Sequence, residues 1–379
     1  METFSVVILS AGPGFRLNPF TLHRPKALCK VANITLLERL FSQLQAGSFN
    51  RCVLALPATA SGMQNLAAAV APPGLDLTII FPRDANFGKV SLVRQAIGSD
   101  PSPVLVIYGD SLLSANLREL VETHQRNRAK GALATILYHR PADLRIAEKD
   151  GQTYHGVLSV DPNGRMTRFV EKPKVVTITA GFDLANAAVF VIERELLDRP
   201  DLQHATDFSF EIFQPAIARG WPIFGCDIGQ GFRFDVGGIA RWHQLNLQVI
   251  RKEIDVVVPG KEIAPNLWAG EGIMVSSAHL EPPALLGDKV CVGAGTVLGP
   301  DVVVGNGCRI GAGAVIRRSV IMDHCCIGRN TELDLCLLGS HCKIAGGVKL
   351  PQFSVLGSYS VVGDEHWPNW AEEKDFQYE

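Results

Sequence analysis

Gly12 and Gly14 lie just past an apolar run, Ser5 to Leu9, and Arg16 and Lys26 follow, the lysine directly after Pro25. A glycine-containing loop at a strand end presents backbone N–H groups as a concave anion site, and glycine lets phosphate oxygens come close. Arg16 adds a planar fork suited to bidentate phosphate contact, and Lys26 a compact point charge. The pattern is neither a P-loop nor a dinucleotide fingerprint. Further on, Asp110 ends an apolar run, Glu171-Lys172-Pro173 closes another, and Asp235 stands between Phe234 and Val236. A carboxylate inside an aromatic and aliphatic strand calls for a partner or a metal ion. Each residue taken singly has an ordinary alternative. Arg16 and Lys26 can be solvated surface charges, Asp110 a helix cap or turn residue, and Glu171-Lys172 a charged strand end stopped by proline.

The elements that must position these groups alternate. Apolar runs at Ser5 to Leu9, Cys52 to Leu56, Leu77 to Phe81 and Val104 to Tyr108 are interleaved with helical patterns, the pattern of a largely parallel sheet covered by helices. Thr35 and Glu38 have capping-box spacing, and Leu36, Leu37, Leu40, Phe41 and Leu44 form one apolar face. Asn116 to Arg128 reads as a helix and Gly131 to Tyr138 as a strand. Asp161-Pro162-Asn163-Gly164 reads as the turn of a hairpin, which makes the sheet mixed. Ligands of open α/β sheets sit beyond strand ends such as Tyr108-Gly109-Asp110.

Beyond Arg251 the texture changes. After a connector rich in Pro and Gly, aliphatic residues recur every six positions: Leu286, Val292, Leu298, Val304, Ile310 and Ile316, the first five each followed by Gly. A one-residue slip leads to Ile321, Ile327 and Leu333, and a second to Leu338, Ile344, Leu350, Leu356 and Val362. Small or β-branched residues, Cys308 and Cys342 among them, fall four places after many of these. This is the hexapeptide signature of a parallel β-helix, in which one aliphatic per short strand stacks inward and glycine permits the corners. The expected division is therefore 1–250 for the α/β domain, 251–270 for a linker, 271–363 for the β-helix and 364–379 for a tail.

With 379 residues, 47% hydrophobic, the chain can bury two substantial cores. Lys+Arg 36 against Asp+Glu 38 gives no overall positive charge with which to hold a nucleic acid. No run approaches the ~18 apolar residues of a membrane span, and the start of the chain lacks the basic flank of a signal peptide, so the expectation is a cytoplasmic protein without a membrane partner. Nine cysteines, six of them between Cys291 and Cys342, read as reduced and mostly buried thiols. A zinc site at His324, Cys325, Cys326, His341 and Cys342 lacks the ligand spacing such sites use.

Taken in order, these stretches resemble the signature of the sugar-nucleotide pyrophosphorylases, the nucleoside-triphosphate:sugar-1-phosphate nucleotidyltransferases, written G-x-G-T-R-L-x-P-L-T followed by P-K. Here the residues are Gly12-Pro13-Gly14-Phe15-Arg16-Leu17-Asn18-Pro19-Phe20-Thr21, then Pro25-Lys26. "YGDSLL", "RFVEKP", "NAAVFVI", "DFSFEIFQPAI" and "FRFDVGG" extend the match over nearly the whole chain. The linker and repeats are most similar to mannose-1-phosphate guanylyltransferases. The resemblance implies a Rossmann-like nucleotidyltransferase domain with a mixed, mostly parallel sheet, followed by a left-handed parallel β-helix. It also implies transfer of a nucleotidyl group from a nucleoside triphosphate to a sugar 1-phosphate, with GTP and mannose 1-phosphate the best guess. In the family pattern Leu9, Ala11, Gly12, Gly14, Gly88 and Gly109 line the nucleotide. Arg16 holds the β and γ phosphates, Lys26 acts at the α-phosphate and Lys172 orients the sugar phosphate. Gly156, Glu171 and Asn186 meet sugar hydroxyls, and Asp110 and Asp235 share a Mg²⁺ ion.

Three departures qualify the pattern. Phe15 replaces the signature threonine, Lys89 and Val90 follow Gly88 where Thr-Ala is usual, and "DVGG" lacks the threonine and proline expected after the aspartate. They motivate a second reading, a catalytically weak or inactive subunit that binds nucleotide sugar. A third is a bifunctional enzyme whose β-helix transfers an acyl group, with His324 or His341 as base. The β-helix is expected to support a homo-oligomer, with Trp367, Pro368 and Trp370 covering its end or forming a contact.

Overall fold

The computed structural model describes residues 4–12, 14–60, 62–83, 88–147 and 150–363. Pro13, Asn86, Phe87, Trp367, Pro368 and Trp370 lie outside the described residues. The chain divides into two compact units, Met1–Pro13 with Leu36–Asp235, and Gly14–Thr35 with Val236–Glu379.

The first unit is built on a nine-stranded mixed sheet. Its path runs Met166–Glu171, Gly156–Val160, Leu184–Ile192, Val104–Tyr108, Ser5–Leu9, Arg51–Ala55 and Asp76–Ile80, while Ala134–His139 pairs with Leu184–Ile192 and with Ile223–Asp227. The ladders divide evenly between parallel and antiparallel. Three of the four parallel ones gather around Ser5–Leu9, whose residues 6–8 are almost wholly buried as a strand covered on both faces must be. The helix Leu36–Ala46 buries the five apolar residues that its spacing picks out. The hairpin turn forms at Asp161, whose N–H donates to Arg165 O at 2.8 Å and whose carboxylate accepts the N–H groups of Asn163 and Arg165. That turn pairs Met166 with Val160, and a bulge between Met166 and Arg168 shifts the register by one residue, so that Glu171 falls opposite Gly156. Two strands stand off this sheet, Ser111–Ser114 and Phe232–Asp235, paired antiparallel.

The second unit is a stack of short parallel strands in three sheets of seven, six and four strands. Leu286 pairs with Val304, eighteen residues on, but Val304 pairs with Ile321 and Ile321 with Leu338, each seventeen on. Both one-residue slips in the repeat are thus absorbed as coils one residue shorter, and the inward aliphatic column stays continuous and buried. The hairpin of Lys261–Ala264 and Leu267–Ala269, which lies in the stretch expected as a connector, begins the seven-stranded sheet. Cys308 and Cys342 sit in the inner column, and so do Cys325, four places after Ile321, and Cys336, which the second slip sets three places after Leu333. The thiols of Cys308 and Cys325 each donate to a carbonyl at 3.0 Å, and all nine cysteines are free.

Residues 14–35 pack within this second unit. The helix Ile239–Ile250 holds them through Trp242, whose indole N–H donates to Lys30 O at 2.7 Å and whose ring lies 4.9 Å from Phe20. Asn246 accepts the Ala32 N–H at 2.8 Å. The repeat holds them through Arg24 to Ser340 at 2.8 Å, Asn33 to Val304 O at 2.8 Å, and the Lys30–Asp323 ion pair.

Candidate active site

Strand ends supply the groups. Leu9 and Tyr108 are register partners at the C-terminal ends of two parallel strands, and the Gly109 N–H donates to Leu9 O at 2.9 Å. Asp110 follows at once, half-buried, with Ser111 Oγ 3.3 Å from its carboxylate. The antiparallel pair then returns the chain to the same place: Asp235 lies opposite Ser111, one position from Asp110. A ladder of four residue pairs is what brings the backbones of two aspartates far apart in sequence to neighbouring positions.

On the neighbouring strands, Glu171 faces Gly156 across the hairpin, and Ala185, next to Asn186, pairs with Val157. A Cβ at position 156 would stand 2.6 Å from Glu171 Oε2, so glycine is needed for the carboxylate to lie there. Burial pushes the Glu171 carboxyl up against a Ser209 hydrogen bond, with Asp207 adding to the rise and Lys172 and Lys89 opposing it. Asn186 Oδ1 accepts the Ala188 N–H at 2.8 Å where the strand's register shifts, and Ala188 takes a φ of 55°. Lys172 also lies in the left-handed region, at φ 49°, with its N–H on His155 O at 3.1 Å. Such backbone persists in a non-glycine residue only where its surroundings fix it, and here it turns an exposed lysine off the end of the Glu171 strand.

Tyr108 and Lys89 stand between these groups. Lys89 Nζ lies 3.0 Å from Asp207 and 4.8 Å over the Tyr108 ring. Burial, then the charges of Asp207, Glu171 and Asp110, push the Tyr108 phenol well above its usual range, against a smaller opposing effect of Arg233. One aromatic ring therefore senses the acidic residues of both the carboxylate pair and the Gly156 cluster. Gly88 begins the Lys89 helix, where a Cβ would stand 2.4 Å from Thr206.

Of the residues singled out in the sequence, Leu9, Ala11, Gly12, Gly88, Gly109, Asp110, Gly156, Glu171, Lys172, Asn186 and Asp235 belong to the first compact unit, and Gly14, Arg16 and Lys26 to the second. Gly14 has φ 70° and begins the short turn that carries Arg16, and Thr21 Oγ1 donates to Gly14 O at 3.0 Å. Lys26 is buried within the turn Lys26–Leu28. Phe15 is 72% exposed rather than turned into the core. The sequence reading passed over Ser10, whose hydroxyl is buried with no hydrogen-bond partner among the described residues, and Arg233, two positions before Asp235. Strand alternation was the available signal for Arg233, because it places residues 233 and 235 on one face.

Asp110 and Asp235 offer carboxylate oxygens from adjacent positions, and no group of three or more His, Cys, Asp or Glu able to hold a metal occurs among the described residues. Such a donor set fits a hard divalent cation that takes its other ligands from phosphate and water. No helix among the described residues is long and apolar enough to cross a membrane.

Comparison with known proteins agrees with this geometry. The family Nucleotidyl transferase matches residues 5–251, and the GMPPB C-terminal domain matches residues 280–369. The chain is 25% identical over 373 residues to a UTP–glucose-1-phosphate uridylyltransferase of Synechocystis sp., covering 94% of this chain and 88% of that protein. It is 27% identical over 370 residues to the mannose-1-phosphate guanylyltransferase catalytic subunit beta of Drosophila melanogaster, covering 96% and 91%. Mannose-1-phosphate guanylyltransferase 1 of Arabidopsis thaliana is 24% identical over 369 residues, covering 96% and 93%. With its strand-end carboxylate pair and the glycine–glutamate–asparagine cluster beside it, the chain belongs to the nucleotidyl transferase family and is a sugar-1-phosphate nucleotidyltransferase.

Proposed function

We propose that the protein joins GTP and mannose 1-phosphate to give GDP-mannose and pyrophosphate, with Mg²⁺ as its cofactor. The observation that supports the reaction type is the Asp235–Ser111 register, which brings the backbone of Asp235 to within one position of Asp110 at the strand end next to Tyr108. The mannosyl and guanosyl choice rests on the names of several relatives, against one named for UTP and glucose 1-phosphate.

An oxygen of the sugar 1-phosphate attacks the α-phosphorus. The bond from that phosphorus to the bridging oxygen breaks, and pyrophosphate leaves with the electron pair. No side-chain nucleophile is needed, so positioning and neutralisation of charge carry the rate. Asp110 and Asp235 would hold a Mg²⁺ ion, which would supply neutralisation of charge on the reacting phosphates. Gly12, Gly14 and Arg16 serve the β and γ phosphates, Lys26 the α-phosphate and Lys172 the sugar phosphate. Leu9, Ala11, Gly88 and Gly109 line the nucleotide. Gly156, Glu171 and Asn186 receive the sugar hydroxyls, for which a half-buried carboxylate acceptor packed against a glycine is well suited. The division into a catalytic domain, linker, β-helix and tail, a homo-oligomer formed through the β-helix, and a cytoplasmic location complete the proposal.

A matrix of triphosphates against several sugar 1-phosphates, read by pyrophosphate release, tests it. Turnover confined to GTP with mannose 1-phosphate supports the assignment, and preference for another pair replaces it. A second reading, nucleotide-sugar binding without turnover, is favoured by Lys89, which Asp207 holds in a position where the family has an uncharged residue. Binding without pyrophosphate from any pair would select it. His324 and His341, considered as acyl-transfer bases, stack on one another at 5.1 Å, and His341 stacks on Tyr359 at 4.9 Å, which supports a structural column.

A further inference from the structure

Arg233 is a half-buried cation without a matching anion. Its Nε is buried and has no hydrogen-bond partner among the described residues, and none of the carboxylates there forms an ion pair with its guanidinium. A buried polar atom without a partner calls for an explanation, and a bound anion is one that suits a guanidinium. The position of Arg233 says which ligand. It pairs with Leu113 and sits two residues before Asp235, so both side chains leave the same face of the two-stranded ribbon, one towards the carboxylate pair and the other a strand step away.

The surroundings of Arg233 lie on the sugar side. Its charge acts on His139, which ends the strand Ala134–His139 and pairs with Ala185, the residue before Asn186. The His139 ring lies 5.9 Å from that of His155, which directly precedes Gly156. His139 Nε2 and His155 Nδ1 are buried and, like Arg233 Nε, lack a hydrogen-bond partner among the described residues. Burial, then Arg233 and His155, hold the His139 imidazole down to about 3, so it is neutral and leaves Arg233 as the fixed charge of this group. Arg233 also acts on Tyr108, the ring that senses Asp110 and Glu171.

We infer that Arg233 is a substrate contact whose guanidinium binds the phosphate of the sugar 1-phosphate, between the hydroxyl-binding cluster of Gly156, Glu171 and Asn186 and the carboxylate pair. A planar fork matches a phosphate with two parallel hydrogen bonds, and the neighbouring Asp235 leaves it a neutralising role once that phosphate has delivered its oxygen to the α-phosphorus. The inference rests on the proposed transferase reading for its ligand but can be judged apart from it.

Arg233→Met and Arg233→Lys are compared with the wild type by steady-state kinetics on GTP with mannose 1-phosphate, or on whichever pair the matrix selects. Ligand-detected NMR titrations with mannose 1-phosphate, glucose 1-phosphate and the two free sugars run alongside. The expected result is a rise of about 10–100-fold in KM for the sugar 1-phosphate in Arg233→Met, a triphosphate KM within threefold of wild type, and partial recovery in Arg233→Lys. The methionine variant should bind free sugar as before and lose its preference for the phosphorylated form. A rise confined to the triphosphate KM would place the guanidinium on the other substrate, and unchanged constants would make Arg233 structural; either overturns the inference. If Arg233→Met does not fold, the lysine variant and its NMR titration decide. A wild-type chain that binds sugar 1-phosphates without turnover ends the transferase reading alone, and one that binds none of them ends both.

Discussion

Lys30 Nζ lies 3.0 and 2.9 Å from the two carboxylate oxygens of Asp323, joining the segment after the Arg16 and Lys26 turns to a coil of the repeat within one compact unit. Both side chains are less than one-fifth exposed, 19% and 16%, so the pair is shielded from solvent. Asp323→Asn retains an acceptor for the Asn306 N–H, which bonds the native carboxylate at 2.9 Å, and removes the charge. The expected cost is about 2–3 kcal/mol of unfolding free energy, because Lys30 is left without its counter-charge. Urea denaturation measures it, and Lys30→Met in the Asp323→Asn background should recover part of the loss. Equal stability of Asp323→Asn and wild type would show the pair to be solvated and weak.

Asp110→Asn and Asp235→Asn should each lower pyrophosphate release by at least about 100-fold, since each removes half of a carboxylate pair that the fold sets at adjacent register positions. Both residues are only half-buried, and unfolding midpoints should move little. Retention of a tenth of wild-type turnover by either variant at saturating magnesium would remove that residue from the catalytic set.

Gly156→Ala sets a methyl group 2.6 Å from Glu171 Oε2 and 3.1 Å from the Phe169 ring. The carboxylate must move, so kcat/KM for the sugar 1-phosphate should fall at least about tenfold while the triphosphate KM stays near wild type. A parallel loss for both substrates would mean that the strand pair itself had shifted.

The neutral His139 makes stability depend on pH. In the unfolded chain an imidazole titrates near 6.5, whereas here burial and the charges of Arg233 and His155 hold it down to about 3. The native state binds the proton later than the unfolded state as pH falls. The stabilisation is therefore whole above pH ~6.5 and drains away between there and pH ~3, by up to about 1.4 kcal/mol per pH unit. His139→Gln should show a flatter fall in urea midpoint between pH 7 and pH 5 than wild type. Parallel slopes for the two proteins would place the proton elsewhere.

The β-helix could be read from the sequence because its order is local: an aliphatic every six residues and a glycine at the corner suffice, and even the two slips were visible as five-residue steps. Cys336 escaped notice because the second shortened coil sets it three residues after Leu333, where counting by fours lands on Leu337. The hairpin turn was equally local, encoded in Asp161-Pro162-Asn163-Gly164, whereas the bulge between Met166 and Arg168 that aligns Gly156 with Glu171 had no such signal. The Asp235–Ser111 ladder was not local, since nothing near Phe232–Asp235 announces a partner more than a hundred residues earlier; the strand pattern singled out each aspartate, and only the family signature joined the two. Arg233 was legible only as an alternation, and an arginine between two phenylalanines invites the ordinary reading of a surface strand. Least visible was the membership of residues 14–35, which depends on Trp242, Asn246 and Asp323 lying where those residues fold back.

That membership sets a timetable for synthesis. Residues 14–35 leave the ribosome some 200 positions before Val236, where the rest of their unit begins, and at roughly 5–20 residues per second the delay is on the order of ten to forty seconds. Throughout it Phe20 has no Trp242 to meet and Lys30 no Asp323. A nascent chain stalled after Asp235 would display an apolar segment in want of shelter, an invitation to chaperones, and the Arg16 and Lys26 turns would acquire their fixed shape only once the C-terminal repeat had been made.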